Sequence, residues 1–189
     1  MLTILKHAKN FVGKFDAKPI FKGIHFTGNE IAVTDTHVLV IRTNFPSEKK
    51  TIHWGTGASI DGVYPDVMKC IPPESQISFE ITDLKAWIRA LKLANLVSSE
   101  CSLKPDLDGI ALEAVGKREG YTATFDINLK RGNLLDSIAF NAKYLHDVLS
   151  FFKDSGVTVV TMGFNSPLSP IKLTTDKDVL AILTPMRHK

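Results

Sequence analysis

The chain has 189 residues, 44% of them hydrophobic and 23% charged, which is typical of a globular protein with a substantial core. Its net charge of +3 does not by itself indicate nucleic-acid binding, because that requires positive charge concentrated on one face. No apolar run approaches the ~20 residues that cross a bilayer, and polar residues interrupt the N-terminal segment. We therefore expect no membrane span, no export signal and a cytoplasmic location.

Three segments have apolar residues at helical spacing. They run from about Leu2 to Phe15, from Asp83 to Val97 and from Ala142 to Phe152. The third is preceded by Asn141, a favourable N-cap, and Phe140 and Leu145 are spaced for a hydrophobic staple around that cap. The sequence therefore predicts one helix near the N-terminus and two in the remainder of the chain.

Short strand patterns separated by turn residues fill most of the remaining sequence. The predicted strands are Ile20 to Phe26, Glu30 to Thr43 (as two strands or one bent strand), Ile77 to Ile81, Gly109 to Ala114, Tyr121 to Asn128, Val157 to Met162, Ile171 to Thr174 and Val179 to Leu183. A proline followed four residues later by Gly-Ile comes after each of the first two helices, which indicates a weak internal repeat. A helix followed by several strands, repeated, predicts an α+β fold with antiparallel sheets.

No cluster with catalytic or metal-binding spacing is present in the sequence. The six histidines are scattered, and the two cysteines are too few for a disulfide framework or a metal knuckle. Asp35 and His37 lie in one short turn, where an Asx turn is more common than a catalytic pair. We expect no catalytic residues, no metal and no cofactor.

Positively charged residues on the predicted helices indicate a function better than any catalytic or metal-binding pattern in the sequence does. Lys85, Arg89 and Lys92 are spaced to share one helical face, roughly opposite the apolar stripe. Such residues can simply solvate an amphipathic helix, or they can form a surface that meets phosphates. The candidate DNA contacts are Lys6, Lys9, Lys14, Lys85, Arg89, Lys92 and Lys143.

Three sets of motifs, in order along the chain, resemble the bacterial DNA polymerase sliding clamps (beta subunit). The first pairs Gly23–Phe26 with Val33–Leu39, and the second is Asp61–Asp66, which resembles the linker that enters a clamp's third domain. The third joins Ile138–Leu145, the Ser166-Pro167 turn and the Leu183–Arg187 tail. The short chain resembles a shortened clamp of a phage or mobile element.

The resemblance implies a DNA-clamp fold, in which half-domains of one helix plus antiparallel strands repeat with the helices on one face of the sheets. Residues 1–63 would be half of a clamp domain, like the first half of clamp domain 2. Residues 64–189 would form a full domain, like clamp domain 3. The N-terminal half would leave a sheet edge and an apolar helix face uncovered, which predicts a homo-oligomer.

The resemblance also implies a processivity factor that slides on duplex DNA without sequence specificity. Its partners would be a replicative DNA polymerase and other proteins with clamp-binding peptides, with a clamp loader as a further candidate. The implied peptide pocket comprises Phe21, Thr34, Thr36, His37, Val38, Leu39, Pro65, Lys69, Cys70, Ile182, Leu183, Pro185, Met186 and Arg187. The alternative is a clamp-derived decoy or adaptor that binds peptides but does not encircle DNA.

Overall fold

The computed structural model describes residues 3–15, 17–106, 109–126, 129–131 and 137–187. Its α-helices are α1 (Thr3–His7), α2 (Leu84–Val97) and α3 (Ala142–Asp154). Its strands are β1 (Gly23–Phe26), β2 (Ile31–Thr34), β3 (Val38–Arg42), β4 (Lys50–His53), β5 (Ile77–Ile81), β6 (Glu100–Asp106), β7 (Gly109–Val115), β8 (Gly120–Phe125), β9 (Leu129–Arg131), β10 (Ile138–Asn141), β11 (Val160–Phe164), β12 (Ile171–Thr175) and β13 (Val179–Leu183). Short 3-10 turns cover Ala8–Asn10, Pro19–Lys22 and Val67–Cys70.

The two long helices begin at capping residues that the sequence supplies. The Asn141 side-chain oxygen accepts hydrogen bonds from the backbone N–H groups of Lys143 (2.9 Å) and Tyr144 (3.3 Å). The Asp83 carboxylate accepts one from the N–H of Ala86 at 2.9 Å. Each cap satisfies backbone donors that have no partner within the helix. The predicted second and third helices are confirmed.

The predicted first helix is much shorter than expected. It loses α-helical geometry after His7 and ends as a 3-10 turn at Asn10, while Leu2 lies outside the described residues. The backbone N–H of Gly13 then donates to the carbonyl of Phe21 at 2.7 Å, so a long-range hydrogen bond replaces the helical one. The prediction of a helix to Phe15 was wrong.

The antiparallel strand prediction is confirmed in type but corrected at several boundaries. The predicted first strand begins only at Gly23, because Pro19–Lys22 forms a 3-10 turn. The segment from Glu30 to Thr43 forms two strands, β2 and β3. The predicted strand from Val157 is shifted to β11, and the end of the predicted strand at Asn128 lies outside the described residues. The sequence patterns missed β4, β6, β9 and β10.

Nine strands form one continuous antiparallel sheet in the order β4-β1-β2-β3-β13-β12-β11-β5-β9. The pairing of β3 with β13 joins the two ends of the chain, with Val38 opposite Leu183 and Arg42 opposite Val179. Strands from residues 1–63 and 64–189 therefore share one sheet. The division of the chain into a half-domain and a full domain remains a prediction.

The remaining strands form a second antiparallel sheet in the order β10-β6-β7-β8. Helices α2 and α3 pack against one another, and the largest apolar cluster combines their buried faces with residues of both sheets. Trp87 of α2 stacks on Phe125 of β8 with ring centroids 4.3 Å apart. This arrangement confirms the expected α+β class with antiparallel sheets.

A smaller apolar cluster lies on the other face of the nine-stranded sheet. Along β3, Val38 and Val40 belong to the main core, whereas Leu39 and Ile41 belong to the smaller cluster, as strand alternation requires. The full set of buried residues in this cluster is Ala32, Leu39, Ile41, Tyr64, Val67 and Ile182. It forms the floor beneath the candidate site.

The sheet edge and the apolar helix face of the N-terminal segment, which were predicted to be uncovered, are both covered by other parts of the chain. The apolar face of the first helical turns is fully buried, and Phe11 packs edge-on against Phe151 of α3 at 6.0 Å. The outer edge of β4 is hydrogen-bonded to residues 58–60, since His53 N donates to Ala58 O (2.7 Å) and Ile60 N donates to Thr51 O (2.9 Å). The stated reason for self-association through this half was therefore wrong.

Candidate functional site

The turn between β2 and β3 is held by its own side chains. The Asp35 carboxylate accepts hydrogen bonds from the N–H groups of His37 (2.8 Å) and Val38 (2.9 Å), which is the Asx turn predicted from the sequence. The Thr34 hydroxyl donates to the Val38 carbonyl at 2.7 Å and accepts from the N–H of Thr36 at 3.0 Å. Thr36 has a φ of +82°, which is unusual for a β-branched residue. The turn is therefore fixed in a strained conformation.

This turn forms one wall of an apolar cavity of about 260 Å³ above the smaller core cluster. The opposite walls come from the Pro65–Cys70 segment and from β13. The lining residues are Phe21, Thr34, Thr36, His37, Val38, Leu39, Pro65, Val67, Cys70, Pro170, Ile182 and Thr184. Side chains distant in sequence meet here because β3 pairs with β13.

Aromatic stacking positions the Pro65 wall. The Tyr64 ring lies parallel to the His25 ring at 4.4 Å, and the Nδ1 of His25 is 2.9 Å from the Thr51 hydroxyl. Burial, and then the positive charge of Lys49, lower the pKa of His25. A neutral imidazole can stack on Tyr64 without burying a charge, so this contact fixes the segment that enters the cavity wall.

A second cavity of about 320 Å³ lies on the other side of His37, which lines both. The His37 ring stacks on Tyr144 of α3 at 6.3 Å, and the exposed Phe15 lines the same space. Burial, and then the hydrogen bond to and charge of Asp35, raise the pKa of Tyr144 to about 12. The Asp35 turn is thereby linked to α3, between the two cavities.

The predicted DNA contacts fall into two groups. Lys85, Arg89 and Lys92 are exposed on α2 and are spaced along one face, and Lys9 and Lys14 are also exposed.

Two other predicted DNA contacts are engaged in ion pairs. Lys6 lies 3.0 Å from Asp154, and Lys143 pairs with Asp147 one turn away. Burial raises the pKa of Asp147, but hydrogen bonds from His146 and Lys143 outweigh it, and the net pKa is lowered. These two lysines are therefore partly neutralised by neighbouring carboxylates.

Residues 68–187 match the family model of the DNA polymerase III beta subunit, C-terminal domain. The match covers more than half of the chain. This protein belongs to that family.

Curated members of the family are similar to the chain over part of their length. A "Beta sliding clamp" of Streptococcus pneumoniae serotype 4 is 25% identical over 132 residues, which is 68% of this chain and 35% of the relative. One from Helicobacter pylori strain 26695 is 25% identical over 122 residues, 63% of this chain and 32% of the relative. The chain thus spans about a third of the length of the curated relatives it matches.

Solved structures show that the fold is that of sliding clamps. The DNA polymerase sliding clamp of Bacillus subtilis superposes with a TM-score of 0.84 at 16% identity, covering 99% of this chain and 62% of that one. The beta chain of Streptococcus pneumoniae DNA polymerase III gives 0.82 at 19% identity, covering 100% of this chain and 64% of that one. The expected clamp fold is confirmed.

Some residues that the resemblance placed in the peptide pocket do not line the cavity of this family member. Leu183 points into the main core, because it alternates along β13 with Ile182, which faces the cavity. Lys69 is exposed and lies 3.3 Å from Asp66. The tail residues Pro185, Met186 and Arg187 are also not among the lining residues.

Backbone hydrogen bonds anchor the C-terminal tail to both sheets. The N–H of Thr184 donates to the His37 carbonyl at 2.9 Å, and the N–H of Met186 donates to the Ala139 carbonyl at 2.7 Å. The tail therefore crosses from the nine-stranded sheet to β10. His188 and Lys189 lie outside the described residues.

Three lining residues were missed by the sequence analysis. Thr184 follows Ile182 by two positions and so shares its face, which strand alternation could have shown. Val67 lies on the 3-10 turn after Pro65, and Pro170 ends the turn before β12. No local pattern distinguishes those two from ordinary loop residues.

Three further observations concern metal binding, membrane spans and the two cysteines. Among the residues that the structure describes, no group of three or more His, Cys, Asp or Glu side chains could hold a metal ion. Within the same part of the chain, no helix is long and apolar enough to span a membrane. Cys101 is buried, which raises the pKa of its thiol, whereas Cys70 is exposed on the cavity wall.

Proposed function

We propose that this chain is a sliding-clamp processivity factor that tethers replication proteins to duplex DNA without sequence specificity. The observation that carries the proposal is the apolar cavity formed by the β2–β3 turn, the Pro65–Cys70 segment and β13. It accompanies an exposed cationic face on α2, in a family whose curated relatives are named beta sliding clamps. The proposed role is non-enzymatic, requires no cofactor and is carried out in the cytoplasm.

The cavity would hold the apolar anchors of a short client peptide with a Gln-x-x-Leu-Phe-like core. Burial of one leucine and one phenylalanine contributes about 1.5–3 kcal/mol each, before the cost of ordering the peptide. The net affinity would be on the order of micromolar. Replicative polymerases and other proteins with such peptides are the proposed clients, together with a clamp loader.

His37 would direct the peptide from the first cavity towards the second. Its ring forms part of both walls, and the Asx turn holds its backbone in place. Lys14 lines the second cavity and would provide positive charge for acidic residues that flank the apolar core. The two cavities together would fit an extended segment rather than a single side chain.

DNA would be contacted through its phosphates. Lys85, Arg89 and Lys92 would exchange phosphate partners as the protein moves, which gives sequence-independent and salt-sensitive association. Lys9 and Lys14 extend the exposed positive charge near the N-terminus. Lys6 and Lys143 would contribute less, because carboxylates of the chain already pair with them.

A charged substitution in the cavity wall tests peptide binding. Thr184 is exposed at the cavity, so Thr184→Glu should place a carboxylate beside the apolar anchors and weaken binding of a Gln-x-x-Leu-Phe peptide at least tenfold. Thr82→Glu adds the same charge at an exposed site outside the cavity and should leave affinity unchanged. Calorimetric titration with equal affinities for the two variants would refute this location of the site.

Retention on circular DNA separates the clamp from the decoy or adaptor. A protein that encloses DNA should remain on a closed plasmid and be released when the plasmid is linearised. A decoy would bind the peptide with the same affinity and show no difference between the two DNA forms. The second result would overturn the DNA-sliding role and leave the peptide site in place.

A further inference from the structure

A third cavity, of about 690 Å³, lies beside the apolar cavity on the same face of the nine-stranded sheet. Its floor includes His25 of β1 and Thr51 of β4, which lie opposite one another in the strand ladder. His25 is also opposite Ala32, a member of the smaller core cluster, which places this floor on the cluster's face of the sheet. The segment 59–68 forms one wall, and we call this space the outer cavity.

The floor of the outer cavity has hydrogen-bonding capacity that the described part of the chain does not use. His25 is 9% exposed and Thr51 is 7% exposed, so both are buried polar side chains. The Nδ1 of His25 lies 2.9 Å from the Thr51 hydroxyl, and its Nε2 has no hydrogen-bond partner among the residues that the structure describes. When the hydroxyl donates to Nδ1, Nε2 carries the proton and becomes a donor. A ligand in the cavity could satisfy it, as buried polar atoms require.

The charges around this floor favour an anion. Burial, and then the nearby ammonium of Lys49, lower the pKa of His25, so positive potential reaches the floor. Two of the three carboxylates in the described lining are already engaged. Glu30 accepts a hydrogen bond from the threonine hydroxyl three positions before it, and Asp66 lies 3.3 Å from the Lys69 ammonium. An anionic oxygen could therefore accept hydrogen bonds from both Lys49 and the imidazole.

The segment between the outer cavity and the apolar cavity is a wall of both. Pro65 and Val67 line the two cavities from opposite sides. On the same segment Val63 is 92% exposed and Met68 is 40% exposed, so its crest is apolar. A polypeptide that reached both cavities would cover these side chains, which is a common role of exposed apolar residues beside a binding site. This continuity favours a single polypeptide as the occupant of both cavities.

The strand order determines how far apart the two cavities are. The apolar cavity lies over β3 and β13, and the outer cavity lies over β4 and β1. The centres of these strand pairs are three strand spacings apart, which is about 14 Å. An extended chain needs about five residues for that distance, and about six to eight if it also passes over the intervening segment.

We propose that the outer cavity binds an acidic side chain of the client polypeptide whose Leu and Phe anchors occupy the apolar cavity. This inference rests on the proposed peptide-binding function and extends it to a further contact. A glutamate or aspartate about six to eight residues from the anchors would bring its carboxylate to Lys49 and His25. Clients with such a residue would be selected over clients that carry the anchor motif alone.

Peptides that differ only in charge test the proposal. The core peptide carries the Gln-x-x-Leu-Phe motif alone. Two extended peptides carry a pair of glutamates about six to eight residues beyond the motif, one on its N-terminal side and one on its C-terminal side. Each has a matched peptide with glutamines instead. In calorimetric titration, one glutamate peptide should bind about fivefold more tightly than its glutamine match, and this gain should shrink as salt screens the charge.

Substitutions in the chain locate the gain. Lys49 is exposed, so Lys49→Glu should abolish the gain and leave the affinity for the core peptide unchanged. Lys153→Glu, at an exposed site on α3, which packs on the other face of the sheet, is the matched control and should keep the gain. Asp61→Asn removes the third lining carboxylate and should increase it. His25→Phe keeps a ring to stack on Tyr64 but removes Nε2, and should reduce the gain without changing core-peptide affinity.

The outcomes separate this inference from the proposed function. If the core peptide binds and each glutamate peptide has the same affinity as its glutamine match, the outer-cavity site is refuted and the proposed function stands. A core peptide that does not bind refutes both. A gain that survives Lys49→Glu places the acidic residue elsewhere and refutes the site. Loss of core-peptide affinity in His25→Phe would overturn the contact assigned to the ring, since it would mean that His25 acts by positioning the wall.

Discussion

Replacing Thr36 by glycine should stabilise the protein, although the residue lines the candidate site. Thr36 has a φ of +82°, where a β-branched residue costs about 1–2 kcal/mol. Glycine adopts this conformation without strain but loses about 0.5–1 kcal/mol through the greater freedom of the unfolded chain. The Thr36 side chain is exposed, so little packing is lost. The free energy of unfolding should rise by about 0.5–1 kcal/mol.

Asn44→Gly is the matched control, since Asn44 is the other non-glycine residue with a positive φ (+53°) among the residues described. Asparagine tolerates the left-handed region, and its Nδ2 donates to the Asp178 carboxylate at 2.8 Å. Glycine would relieve little strain there and would lose that hydrogen bond. The free energy of unfolding should fall by about 1 kcal/mol.

Urea unfolding followed by circular dichroism, with calorimetric melting, measures both changes. For a chain of this size the Thr36→Gly midpoint should rise by about 2 °C. Peptide affinity should fall in the same variant, because the substitution removes a side chain from the cavity wall. A lower unfolding free energy for Thr36→Gly would refute the reasoning, since it would mean that the Thr36 side chain stabilises the turn by more than its backbone strain.

Two further predictions concern ionisation and DNA. Asp35→Asn should lower the pKa of Tyr144 from about 12 towards 10, which ultraviolet difference titration measures; an unchanged titration would show that burial alone causes the shift. Because that pKa is raised in the folded state, its contribution to stability is complete below pH ~10 and is lost as the pH rises towards 12. Replacing Lys85, Arg89 and Lys92 by alanine should weaken binding equally for all duplex sequences and lower the slope of log K against log salt by about 0.9 for each phosphate that is no longer neutralised. A preference for one sequence would contradict this prediction.

The sequence predicted which residues are buried more reliably than where the elements end. In the N-terminal segment, Ile4, Ala8 and Phe11 are all fully buried, as the helical spacing indicated. The helix nevertheless ends before Phe11, because the chain turns to bond Gly13 to Phe21. Periodicity records the face that is buried, whereas a distant hydrogen-bond partner determined the boundary.

The strands that the sequence patterns missed also depend on contacts with distant parts of the chain. The segment of β6 contains Glu100, Lys104 and Pro105, which are unfavourable strand signals, yet Cys101 and Leu103 are buried. Pairing with β7 and β10 on both sides supplies the stability that local preference does not. Such tertiary stabilisation is not visible in a short window of sequence.

The family resemblance assigned motifs far apart in sequence to one pocket, and several of those residues line the candidate cavity. The error at Leu183 arose because the C-terminal segment was taken as a contiguous run. In a strand only alternate residues share a face, so Ile182 and Thr184 face the cavity together and Leu183 does not. Applying the period of two to β13 would have removed Leu183 and added Thr184.

The strand pairing that builds the cavity also links it to the rest of the protein. Because β3 pairs with β13, displacement of the β2–β3 turn would be transmitted to Thr184, whose N–H bonds to the His37 carbonyl. From Thr184 the chain continues to Met186, which is bonded to β10 at the end of the second sheet. The tail thus connects the candidate cavity to the second sheet.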